Sequence, residues 1–198
     1  MPPVTADPSV QLVAEDAQAN VYATLVSAFA DDPVERWLYP ANADYLTHFP
    51  DFLAAFGGKA FHRGTAWRLG DFSAVALWYP PGTEPDGDAV AAVLTDTVTP
   101  ARHADLFAVA EQMSAAHPTY RHWYLPWFGV RGDLRGRGLG SRLMVACLET
   151  VDADRLPAYL ETPNPRTLPF YERHGFTVTG EAHAGACPPI VFMLRLAR

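Results

Sequence analysis

Val130-Arg131-Gly132-Asp133-Leu134-Arg135-Gly136-Arg137-Gly138-Leu139-Gly140-Ser141-Arg142 lies between a strand pattern and a helix pattern, and its reading decides the fold. The helix that it opens carries Leu139, Leu143 and Cys147 on an inward face, with Met144, Leu148 and Val151 alongside. Glycines at the alternate positions 136, 138 and 140 let a ligand approach the main chain without meeting a Cβ. The first turn of a helix leaves its N–H groups unpaired, and the macrodipole makes that end positive. Such a turn suits a phosphate or diphosphate. Arg131, Arg135, Arg137 and Arg142, four of the 15 basic residues, gather there in a chain of net charge −7. The competing reading is a glycine-rich turn with its arginines on a solvated face. A P-loop is excluded, because the last glycine is followed by Ser141-Arg142 rather than Lys-Ser/Thr. The dinucleotide fingerprint is excluded too, because the spacing is G-x-G-x-G and falls late in the chain.

Outward from this turn, the second half reads strand (about 121–131), helix (about 137–152), strand (about 157–161), short helix (about 165–174) and two strands ending near Leu196. The first half opens with a strand at Val10-Gln11-Leu12-Val13. Asp16 is then a candidate N-cap for a helix carrying Val21, Leu25, Val26 and Phe29. That helix ends near Asp31-Asp32-Pro33, which reads as turn chemistry rather than a paired-carboxylate site. One helical region follows from Trp37 to Phe56, closed by Gly57-Gly58. A hairpin pairs 65–69 with 72–79 across Gly70-Asp71, and 88–96 and 101–116 read as helices. Strands alternating with helices imply an α/β (α+β) fold with a partly parallel central sheet and helices packed on it.

The residues Arg135-x-x-Gly138-x-Gly140 match the R/Q-x-x-G-x-G/A signature of the GNAT superfamily of acetyl-CoA-dependent N-acetyltransferases. The match continues through Pro157–Thr162 and Asn164–Phe176. Leu160-Glu161-Thr162 and Leu168-Pro169-Phe170-Tyr171-Glu172-Arg173 resemble the puromycin N-acetyltransferase-like members, with weaker echoes at Ala28–Asp31 and Ala74–Trp78. The resemblance implies a mixed sheet of about six or seven strands with a splayed parallel pair in its middle. It implies one N-acetyltransferase domain over 1–198, with 1–120 on the acceptor side and 121–198 on the acetyl-CoA side. It implies acetyl-CoA as cosubstrate, no metal, and a small-molecule amine as partner, in a monomer or homodimer.

Residue by residue, the resemblance implies that backbone amides of Arg135, Gly136, Arg137, Gly138, Leu139, Gly140 and Ser141 hold the coenzyme A diphosphate. The strand at Phe128-Gly129-Val130 is to pair with the pantetheine arm. Pro126 supports this from the residues themselves, because a proline within a strand is tolerated at a bulge or an edge. A bulge there opens a slot, and an N–H of Phe128 or Val130 can polarise a thioester carbonyl. Asn164 and Tyr171 are two helical turns apart and share a face. Asn164 is the expected N-cap and Pro165 the first helical residue. In the resemblance Asn164 also helps to hold the pantetheine, and Tyr171 donates to the leaving sulfur. Full transfer from a phenol of pKa about 10 to a thiolate of pKa about 8.5 is uphill by about 2 kcal/mol, so a hydrogen bond counts for more than proton transfer. Pro169 stands in the same segment and removes a helical N–H. Glu161 is the candidate to bind the amine or take its proton through water; a structural carboxylate is the competing reading. Trp37, Tyr39, Trp78, Tyr79, Trp123, Tyr124 and Trp127 either line a pocket for a flat or hydrophobic amine or pack the core.

Composition closes other routes. Hydrophobic residues reach 49%, enough for a real core, and the acidic balance argues against nucleic-acid binding. Two cysteines make no disulfide framework, and the seven histidines show no metal spacing, His183 and Cys187 included. Met1–Asp7 has no basic and apolar leader, and no stretch approaches the roughly 20 apolar residues of a membrane span, so the expected compartment is the cytoplasm. The alternative function is a non-catalytic acyl-CoA-binding regulatory module, which needs no proton donor at the sulfur.

Overall fold

A strand that is apolar on both faces needs cover on both sides, and Ala74–Tyr79 is buried at every position. In the computed structural model, which describes residues 9–198, seven strands form one sheet. They are β1 (Val10–Leu12), β2 (Ala66–Leu69), β3 (Ala74–Tyr79), β4 (Trp123–Val130), β5 (Ala158–Thr162), β6 (Thr177–Ala182) and β7 (Ile190–Arg195). Their order across the sheet is β1-β2-β3-β4-β5-β7-β6. Neighbours run antiparallel except β4 and β5. The Met1–Asp7 segment read for a leader lies outside the described residues.

Alternation along the strands splits the core in two. Val75, Leu77, Tyr79, Tyr124, Trp127 and Tyr159 face a cluster built by α1 (Gln18–Ala28), α2 (Pro33–Leu38), α3 (Asn42–Gly57), α4 (Lys59–His62), α5 (Gly87–Thr97) and α6 (His103–Ala116). Ala74, Ala76, Trp78, Leu125 and Leu160 face the opposite cluster, under α7 (Leu139–Ala153) and α8 (Leu168–Arg173). In α7, Leu143, Met144, Cys147, Leu148 and Val151 are buried, as the spacing requires, while Leu139 is half-buried.

Several local expectations change. Asp16 falls inside a one-turn 3-10 helix, Glu15–Ala17, and α1 starts from Ala17 with no side-chain cap. The 37–56 region is two helices, because the chain leaves helical geometry at Tyr39 and re-enters after Pro40-Ala41. The hairpin turn is wider than two residues: Phe72 takes a left-handed φ of 51° and β3 begins at Ala74. The segment 165–174 is a 3-10 turn, Pro165–Thr167, followed by α8. Asn164 and Tyr171 therefore do not share one regular helix. Asp32 does cap its turn: its Oδ1 accepts from the N–H of Val34 (3.0 Å) and of Glu35 (3.3 Å).

The parallel pair opens almost at once. Rungs join Trp123 to Ala158 and Tyr124 to Tyr159, and none follows. On the other edge, two steps along β3 (Leu77 to Tyr79) match three steps along β4 (Trp127 to Tyr124). The extra residue is a bulge at Leu125-Pro126. It bends β4 away from β5 and leaves a gap in mid-sheet.

Candidate active site

The glycine-rich turn lies beside this gap. Gly136 (φ 75°) and Gly138 (φ 77°) are left-handed, a conformation that costs an L-residue about 1–2 kcal/mol. Gly138 caps α7, and the first helical bond runs from the Arg142 N–H to the Gly138 carbonyl at 3.1 Å. The amides of Leu139, Gly140 and Ser141 precede that bond and have no helical acceptor. The arginine side chains are mostly committed elsewhere. Arg131 pairs with Asp133 (2.9 Å), Arg135 donates to the Ala28 carbonyl, and Arg142 donates to Ser9 Oγ at 3.0 Å. Arg137 is exposed and lies outside the cavity wall. The polar groups that this turn leaves open towards the cavity are therefore main-chain amides.

Along β4 the Arg131 N–H bonds back to the Ser73 carbonyl at 3.0 Å. By alternation, Gly129 faces β3 while the amides of Phe128 and Val130 face the gap. Gly129 also admits α1: a Cβ there would lie 2.8 Å from the Ala28 Cβ. Across the gap, Tyr171 is 8% exposed and forms no hydrogen bond with any described residue. Burial first, then the charge of Asp32, hold its phenol well above its ordinary range, so it stays protonated. Asn164 caps the 3-10 turn, its Oδ1 accepting from the Arg166 N–H at 3.1 Å, with Pro165 next in line. Pro169 falls in the first turn of α8, where its missing N–H had no helical acceptor, so it does not distort the placing of Tyr171.

One cavity of about 1150 Å³ runs through the gap and joins both faces of the sheet. Its wall takes in Phe128, Gly129, Val130, Arg135, Gly136, Gly138, Leu139, Gly140, Ser141, Asn164, Tyr171 and Glu161. The sequence motif thus converges on one space, except for Arg137. Of the aromatic candidates, Tyr124 and Trp127 line the cavity, while Tyr39, Trp78, Tyr79 and Trp123 are buried outside its wall. Trp127 meets the rings of Phe29, Phe49, Phe52 and Phe56 edge-on.

On the α3 side the polar groups are side chains. Glu161, its side chain 8% exposed, accepts from the Tyr124 hydroxyl at 2.6 Å, and its Oε1 lies 3.7 Å from His117 Nδ1. His117 Nε2 lies 3.6 Å from Glu84 and 3.0 Å from His122 Nε2. Burial alone would lower the His117 pKa, but the hydrogen bond and charge of Glu161, with the charge of Glu84, outweigh it and raise it. His122 is lowered, by burial first and also by the charge of His117. A second acidic pair, Asp32 and Glu35, stands on the same wall. Burial lifts Asp32 to about 6 against two backbone hydrogen bonds that lower it. Burial and then the charge of Asp32 lift Glu35 well above the carboxylate range. Sequence reasoning missed Asp32, Glu35, Glu84, His117 and His122 as site residues. The only signal was Asp32 just before Pro33 with Glu35 two residues past it, which alone means a helix cap and its first turn. Among the described residues no group of three His, Cys, Asp or Glu side chains is arranged to hold a metal, and no helix is long and apolar enough to cross a membrane.

Residues 45–176 match the model of the Acetyltransferase (GNAT) family. Over 183 residues the chain is 26% identical to an uncharacterized N-acetyltransferase of Schizosaccharomyces pombe, covering 78% of this chain and 68% of that one. A Corynebacterium glutamicum structure described as histone acetyltransferase HPA2 and related acetyltransferase superposes with a TM-score of 0.63 at 22% identity, over 96% of this chain and 97% of that one. Arylalkylamine N-acetyltransferase 2 of Aedes aegypti superposes with a TM-score of 0.67 at 12% identity, over 96% and 98%. At such identities the two solved structures share the fold with this chain.

Proposed function

The chain belongs to the GNAT acetyltransferase family, and on that premise we propose that it moves the acetyl group of acetyl-CoA to the primary amine of a small molecule by direct attack in a ternary complex. The observation that carries this reading is the single cavity through the sheet. It joins a main-chain anion cradle, a protonated phenol without a partner among the described residues and a wall of carboxylates.

The residues fit the cosubstrate. The amides of Leu139, Gly140 and Ser141, behind the left-handed Gly136 and Gly138, hold the diphosphate. The open edge of β4 at Phe128 and Val130 holds the pantetheine arm, and Asn164 flanks it. Acetyl-CoA supplies an activated acyl carbon. An amide of the open β4 edge polarises the carbonyl oxygen. Tyr171 donates a hydrogen bond from its hydroxyl to the departing sulfur. Its raised pKa makes full proton loss costlier than the roughly 2 kcal/mol of an unperturbed phenol, so it acts as a donor that keeps its proton. Nitrogen–carbon bond formation releases a proton from the amine, and Glu161 takes it through water, steadied by the Tyr124 hydroxyl and His117. An α-amine of pKa about 7.7–8.0 is already a tenth to a fifth neutral at pH 7, and a lysine-type amine needs far more help.

In this reading residues 1–198 work as one domain. Most of the acceptor side comes from 1–120 and the acetyl-CoA side from 121–198, with Glu161 reaching across. The name of the Aedes structure, an arylalkylamine acetyltransferase, agrees with an amine-accepting chamber walled by Phe52, Phe56 and Met113. The test is thiol release from acetyl-CoA across a panel of aminonucleosides, polyamines and amino-acid amines. Amine-stimulated release is expected. Coenzyme A binding with no stimulation by any amine supports the regulatory module instead.

A further inference from the structure

The cavity has two acidic poles, and they differ in their partners. At Glu161 both carboxylate oxygens have company, the Tyr124 hydroxyl and the His117 ring. At the other pole, Glu35 is 4% exposed and its Oε2 is buried with no hydrogen bond from any described residue. Asp32, 5% exposed beside it, spends its Oδ1 on capping α2. No basic side chain among the described residues forms an ion pair with either carboxyl. The nearby donors do not reach Glu35: Arg36 Nη1 and Trp127 Nε1 are themselves buried without a partner among the described residues. Arg36 gives Nη2 to the Pro40 carbonyl at 2.6 Å and lies over the Tyr45 ring. The Tyr45 hydroxyl bonds to the Val26 carbonyl, and the Tyr39 hydroxyl to Thr97. A buried carboxyl without a partner is costly, and the fold gains nothing from it. The same wall carries the apolar side chains of Phe52, Leu94, Val109 and Met113.

We propose that Glu35, backed by Asp32, holds a second, non-reacting cationic nitrogen of the acceptor, so that the acceptor class is a diamine with an apolar spacer. This deepens the acetyl-transfer reading and rests on it. The reacting nitrogen lies towards Glu161, and the far ammonium supplies Glu35 with the donors and the positive charge that the protein withholds. Burial keeps the empty carboxyl protonated more readily than usual, and an arriving cation favours its ionised form.

The experiment uses the full chain with acetyl-CoA and matched probes: pentylamine against 1,5-diaminopentane, and octylamine against 1,8-diaminooctane. KM from thiol release is expected to favour the diamine of at least one pair by about 10- to 100-fold, the worth of one charged hydrogen bond. In Glu35→Gln, and in the apolar Glu35→Met if that variant folds better, this ratio is expected to collapse towards one. Glu35→Asp keeps the charge and restores part of it. The diamine is also expected to raise the melting temperature of the parent chain and not of Glu35→Gln, a readout independent of turnover. Turnover with no diamine preference, or with a preference that survives Glu35→Gln, overturns the subsite alone. No thiol release with any amine overturns acetyl transfer and the subsite together.

Discussion

The two mouths of the gap in the sheet are built from different materials. On the α7 side the polar groups open to the cavity are main-chain amides, those of Leu139, Gly140 and Ser141 and of the open β4 edge at Phe128 and Val130. On the α3 side they are side chains from distant segments: Asp32 and Glu35, Glu84, His117 and Glu161. A main-chain cradle needs particular backbone angles and is indifferent to most side chains, so it binds one fixed group. A wall of side chains can be retuned by one substitution. The first mouth suits a constant cosubstrate and the second a changeable acceptor.

Substitutions can break this contrast. The largest effect is expected at Tyr171, which stands where the mouths meet. Tyr171→Phe should lower kcat about 100-fold while the coenzyme A-induced rise in melting temperature stays the same. A kcat within twofold of the parent would remove the phenol from the chemistry. Because the phenol is held above its ordinary range, the parent rate should not fall at alkaline pH through ionisation of this group.

Gly138→Val should act on the other mouth alone. The added Cβ meets no atom within 4 Å, so the damage is conformational, a left-handed turn forced on a β-branched residue. Coenzyme A affinity should fall about tenfold with amine KM unmoved, measured by calorimetry and initial rates. Glu161→Gln should separate acceptors by basicity. An amine of pKa about 10 should lose about tenfold in kcat/KM and an α-amine of pKa about 8 much less. Equal losses for both would assign Glu161 to binding instead of proton removal.

The smallest effect concerns stability. The Asp32 pKa of about 6 exceeds the unfolded value of about 3.9, so the folded chain binds this proton more tightly. Its contribution is complete below about pH 4 and is lost as pH rises through 6. It amounts to about 3 kcal/mol at most. Asp32→Asn keeps a capping oxygen and removes the titration, so its stability should vary less than the parent's between pH 4 and 6.5 in urea melts. Identical slopes in parent and variant would count against it.

What could be read in advance follows from the same contrast. The left-handed glycine turn, the bulge at Pro126 and the cap at Asn164-Pro165 each depend on residues within one or two turns of the chain, and each was legible. The seven-stranded sheet with its parted parallel pair followed from the order of elements and the family resemblance. The pairing of Asp32 with Glu35 could be seen locally, but not that both would be shut inside a cavity. His117 gains its meaning from Glu161, 44 positions on, and from Glu84; nothing in the spacing of the histidines announces this. Breaks such as the one at Tyr39-Pro40 were missed because apolar residues keep helical rhythm on both sides of it.

The bulge at Leu125-Pro126 carries one further consequence. The opening in the sheet is written into the chain as a surplus residue, so admitting a thioester requires no strand to detach. The rungs at Trp123 and Tyr124 should stay closed throughout a catalytic cycle. Deuterium uptake at the Trp123 amide, which donates to the Pro157 carbonyl at 2.9 Å, should then be equally slow in the free protein and during turnover, whatever happens in the loops around it.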